Sequence, residues 1–122
     1  MALPTRWSMP SAVAEVAAAS AWEAVRRALA ETDPSAKCRR VGALWAQVES
    51  GQWRPEDPGP PGALPCGRPA RPEMVAPSQL PRRGLGSVEG RQALIHAIAH
   101  IEFNAINLGL DAALRFPAMP PA

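Results

Sequence analysis

The stretch "HAIAHIE" sets His96, His100 and Glu102 close together in sequence, and all three side-chain types can hold a metal ion. A histidine pair at i and i+4 on one helix can chelate a divalent cation, as in H-E-x-x-H helices. Here Ala97 stands where that motif carries its glutamate. Glu102 raises a different chemistry. Ile95, Ile98, Glu102, Ala105, Gly109, Ala112 and Phe116 recur at alternating spacings of three and four, the repeat of a helix laying one seam into a helical core. At about 100° per residue, Glu102 lies roughly 40° from Ile98 and 60° from Ala105, inside that seam. A buried, unpaired carboxylate costs several kcal/mol, so it must be paired, neutralised or bound to a metal. Small neighbours at Ala105 and Gly109 admit a second helix, and an inward carboxylate on a bundle helix is how di-metal carboxylate proteins build their sites. A glutamate that pairs with an arginine, or reaches the edge of the bundle, satisfies the same pattern. His96 and His100 point roughly 120° and 160° away from Glu102, so a straight helix cannot aim all three at one ion. The histidines instead share their face with Asn104, Asn107 and Asp111, which reads as a polar packing surface.

Three helices must position these groups, and the expected fold class is all-α. Ser11 after Pro10 caps a first helix running to about Glu31, with Ala18, Trp22, Val25 and Leu29 as its stripe. Asp33-Pro34 opens a second and Gly51 closes it, with Cys38, Val41, Leu44, Trp45 and Val48 as its apolar face. Cys38 then reads as a small core residue rather than a reactive thiol. Residues 54–81 hold nine prolines in 28 positions, which no helix or central strand survives. This is an extended strap with polyproline character. Its Arg68 and Arg71, with Arg82 and Arg83, either contact an anion or belong to a solvated strap over the helices. Ser87 caps the long third helix, about 88–116, and Glu89 complements its dipole. The organisation is thus an N-terminal helical segment over 1–53, a proline-rich connector over 54–87 and a core helix from 88 to 122.

A chain of 122 residues makes one modest domain, and a net charge of +2 is too small a bias to argue for nucleic acid or an anionic membrane. No basic run with interleaved aromatics is present. Cys38 and Cys66 form no C-x-x-C, which suits a reducing cytoplasm. The apolar N-terminal stretch carries Glu15 and runs into Glu23, Arg26 and Arg27, against a cleaved signal. No stretch approaches the ~20 apolar residues of a membrane span, so a soluble protein with no membrane partner is expected. "GLG" lacks the spacing and preceding strand of a phosphate loop.

The run from "GRPARPEMVAPSQLP" through "HAIAHIEFNAINLGLDAALRF", together with "DPSAKCRRVGALWAQVESGQW", resembles the bacterial family catalogued as domain of unknown function 455, within the ferritin-like superfamily. The resemblance implies a ferritin-like helical bundle, with Glu102 as the first carboxylate of a di-metal centre of iron or manganese. Its motif also matches His96 and His100, without fixing their role. The superfamily includes oxygen-activating hydroxylases, one acting on a modified tRNA base, so oxidoreductase chemistry is the implied class. A metal-free helical interaction module is the alternative. The pattern departs at one point: such sites need a Glu-x-x-His on a further helix, and no glutamate here has a histidine three residues on. The sequence therefore resembles the front part of a longer family member, an incomplete bundle expected to bind no metal pair by itself and to self-associate through its uncovered seam.

Overall fold

The computed structural model describes residues 20–53, 62–82 and 84–119. Within them are α1 (Ala21–Ala30), α2 (Pro34–Glu49), a single 3-10 turn at Pro77–Gln79 and α3 (Val88–Arg115), with no strand among the described residues. The fold is all-α. Local chemistry explains the ends of the helices. Asp33 Oδ2 accepts from the Ala36 amide at 2.6 Å, with Pro34 at the first helical position. Ser87 Oγ accepts from the Gly90 amide at 3.0 Å. Gly51, at φ +69°, takes the left-handed conformation that stops α2 cheaply.

The first helix departs from expectation at Ser20. A continuous helix from Ser11 would run through this residue, but its backbone is extended (ψ 149°) and its hydroxyl accepts from the Glu23 amide at 3.3 Å. A serine that caps cannot also continue a helix through itself. Ser11 and Ala18 lie outside the described residues.

α1 is the element against which both other helices pack. Its Trp22, Val25, Ala28 and Leu29 meet Ala43 and Leu44 of α2 and Leu114 of α3 in one small core. Trp53, following α2, closes the edge with its ring 5.7 Å from that of Trp22 at 83°. The expected α1 stripe is therefore buried at Trp22, Val25 and Leu29.

The other two helices bury different faces from those their apolar patterns suggest. On α2, Leu44 is buried and Val41 half-buried, but Cys38, Trp45 and Val48 are exposed. The buried side is turned by roughly a quarter of a revolution, to Lys37 and Ala43. On α3 the seam of Ile95, Ile98, Glu102, Ala105, Gly109 and Phe116 faces outward, with only Ala112 half-buried. The face that packs carries Asn107 and Leu114, flanked by His100, Asn104 and Asp111. That is the polar surface shared by the histidines. Among the described residues, α1 and the strap reach only this side of α3, and none covers its more apolar side. Against the expectation that no stretch approaches a membrane span, α3 is by length and composition long and apolar enough to cross a bilayer, because few charged residues fall among its apolar ones.

The junction of α1 and α2 is tied by Glu31. Its Oε1 accepts from the Asp33 and Thr32 amides at 3.0 and 2.9 Å, and its Oε2 from Arg40 Nε at 3.2 Å. The Asp33 amide first, and Arg40 next, hold its carboxyl below the ordinary 4.5. A depressed carboxyl contributes stability that is full above about 4.5 and lost as pH falls through the lower folded value. Glu31→Gln is expected to cost roughly 1 kcal/mol at neutral pH. It should also flatten the acid limb below pH 4.5, which urea titrations at several pH values would read.

Candidate functional site

Two features organise the polar interior, and the first centres on Lys37. Its side chain is fully buried, and its three ammonium donors meet three acceptors from three elements. Nζ donates to Leu29 O at the end of α1 (2.9 Å), to Gly67 O in the strap (3.0 Å) and to Asn107 Oδ1 on α3. Asn107 Nδ2 donates in turn to Gly67 O at 3.4 Å. The ammonium also lies 4.9 Å from the ring centroid of Phe103. Burial pushes the lysine below its ordinary range; Arg68 nearby adds to the shift, while Cys66 and Glu31 oppose it. Gly67 is required by the close approach of strap to helix. Its amide donates to Leu29 O at 2.8 Å, and a Cβ on it would sit 2.2 Å from Ala30 O.

The second feature is a pocket of about 260 Å³ between strap and helix. α3 contributes His96, Ala99, His100, Phe103 and Asn104; the strap contributes Arg68, Pro69, Arg71, Pro72 and Met74, with Pro34 at one end. Arg68 Nη1 rests on Met74 Sδ at 3.8 Å. Among the described residues no carboxylate lines it. Asn104, on its wall, has its Oδ1 buried without a hydrogen-bond partner, at a cost of about 1–3 kcal/mol, with no other such side-chain atom among the described residues.

Of the three residues singled out as metal ligands, the structure brings His96 and His100 together in this pocket. Glu102 is exposed on the outward face of α3 and is not part of it. Among the described residues no three His, Cys, Asp or Glu side chains converge as a metal-holding group, so the three do not fit one ion. Cys38 and Cys66 are free and exposed. Sequence reasoning missed Lys37. The available signal was Asn107 on the packing face of α3, a buried amide that needed a partner from elsewhere in the chain.

No solved structure matches the chain. An uncharacterized protein of Haemophilus influenzae is 42% identical over 99 residues, covering 78% of this chain and 34% of that protein. The chain thus spans about a third of the length of the curated relative it matches. A family model matches residues 30–122, which include Lys37, Gly67, the pocket and all of α3. The chain therefore belongs to the family described as Protein of unknown function (DUF455).

Proposed function

We propose that this chain is one part of a longer ferritin-like helical bundle, in which Glu102 supplies a carboxylate to a di-metal centre of iron or manganese serving an oxidoreductase reaction. The observation that supports the reading is the uncovered face of α3. Ile95 and Ile98 are 68% and 48% exposed, Ile101 62% and Leu108 70%, and Glu102 stands among them. Small residues at Ala105 and Gly109 admit another helix backbone, and a Cβ on Gly109 would meet nothing within 4 Å. A carboxylate at the centre of such a face is how bundle helices offer a ligand inward once their neighbours are in place. The longer relative has about two thirds of its length outside the match, enough chain to supply further helices over this face. Within the chain, Lys37 and Asn107 fix the rotation of α3, and so hold Glu102 outward. A di-metal carboxylate centre supplies oxygen-dependent redox chemistry when assembled. The described residues do not assemble one, so the remaining ligands are assigned to the rest of the bundle.

The same reading makes α3 a bundle helix of a cytoplasmic protein. Glu102 falls near its middle, where a charge costs about 2.5–3.5 kcal/mol in a bilayer, and both thiols are free. A metal-free interaction module draws on the same exposed face. Elemental analysis of a full-length family protein carrying this segment, grown with iron and manganese, separates the two. About two metal equivalents, falling by half or more on Glu102→Gln, support the di-metal reading. Unchanged metal content in the variant removes Glu102 from the site, and a metal-free full-length protein supports the module.

A further inference from the structure

The pocket behind the strap is built from this chain alone and is independent of the di-metal reading. Its walls are apolar, from Pro69, Pro72, Met74 and Phe103. Its charged lining has one sign, that of Arg68 and Arg71 on the strap, which lie across from the imidazoles of His96 and His100 on α3, and among the described residues no carboxylate lies between them. Lys37 adds a buried positive charge on the Phe103 ring, and its hydrogen bonds go to neutral acceptors only. Glu31, the carboxylate that acts on Lys37 through space, is committed to Arg40 and two backbone amides. A cation held by the two histidines would lie beside two guanidinium groups, so the lining favours an anion. Guanidinium forks suit a carboxylate in particular, which they take with paired N–H donors. One group asks for the opposite polarity. Asn104 lines the pocket and its Oδ1 is a buried acceptor with no donor, so a ligand that carried one would satisfy it once the amide turned toward the space. At about 260 Å³ the space lies just below the usual range for drug-sized ligands and suits a body of about one ring.

We propose that this pocket binds a small organic carboxylate with a ring-sized apolar body and a hydroxyl donor, the carboxylate held by Arg68 and Arg71 and the hydroxyl given to Asn104. The body packs against Phe103 and the prolines of the strap. The test is calorimetric titration of the 122-residue chain with the three hydroxybenzoates, benzoate and inorganic phosphate. At least one hydroxybenzoate is expected to saturate the chain, with benzoate about tenfold weaker for want of the donor. Phosphate, which has no apolar body, should be weaker still. Arg68→Gln with Arg71→Gln lies on the exposed strap and should leave the helical circular dichroism unchanged while weakening the hydroxybenzoate at least tenfold. Asn104→Leu should abolish the preference over benzoate. Three results would overturn the proposal: no saturable hydroxybenzoate binding below ~10 mM, phosphate binding as tight as the aromatic acids, or tight Zn(II) uptake lost on His100→Gln.

Discussion

Lys37→Met is expected to cost roughly 2–4 kcal/mol, a large share of the 5–15 kcal/mol that holds a typical small domain. Methionine keeps most of the buried volume and removes the ammonium. Opposing effects then compete. Taking the charge out of the interior relieves the desolvation that depresses the lysine, a gain that can make such swaps neutral where every partner leaves together. Here the partners stay. Asn107 Oδ1 loses its donor while remaining 3% exposed, at about 1–3 kcal/mol. Leu29 O keeps the Gly67 amide, and Gly67 O keeps Asn107 Nδ2, so each loses half of its pairing. The contact with Phe103 goes as well, worth up to about 2 kcal/mol when desolvated. Orphaning outweighs relief. The second substitution Asn107→Leu should therefore recover part of the loss, since apolar replacement of both partners is close to neutral. Urea unfolding of the two single variants and the double variant measures this; a neutral Lys37→Met would show that the buried ammonium does not tie the elements together.

The isolated 122-residue chain is expected to self-associate, and Ile98→Glu with Leu108→Glu to make it monomeric. Leu94, Ile95, Ile98, Ile101 and Leu108 are all more than 40% exposed, and Phe116 extends the strip at 60%. Over these 23 positions the helix runs about 33 Å, beyond the scattered apolar exposure normal for a monomer. Two copies meeting along this face would bury it and enclose Glu102. Each added glutamate would put another charge in such an interface, several kcal/mol apiece, so the double variant should weaken association at least a hundredfold. Sedimentation velocity across a concentration series reads the outcome. A monomeric wild-type chain with one sharp thermal transition would contradict the expectation.

What could be read from the residues divides by the range of the forces involved. The caps at Asp33 and Ser87, and the stop at Gly51, are decided within a few residues and were legible. So was the stripe of Trp22, Val25 and Leu29, because α1 is covered from both sides and its apolar pattern matches its burial. The face of α2 was not legible. Lys37 is buried because carbonyls eight and thirty residues away, and an amide seventy residues away, converge on it. No local pattern marks that. In α3 the periodicity identified an apolar seam correctly as apolar, but burial depends on what lies opposite, and the described elements lie on the other side. The grouping of His96 and His100 with Asn104 and Asn107 did mark the packed face. Their meeting with Arg68 and Arg71 depended on the course of the strap, which prolines restrict without specifying.

Anaerobic Fe(II) titration of the 122-residue chain and of a full-length family protein carrying it, followed by optical spectra after oxygen is admitted, tests most directly whether the outward face of α3 is one wall of a shared metal centre. The account predicts uptake of about two irons by the full-length protein, dependent on Glu102, and no tight stoichiometric pair in the shorter chain. Tight binding of two irons by the 122-residue chain, or none by the full-length protein, would contradict it.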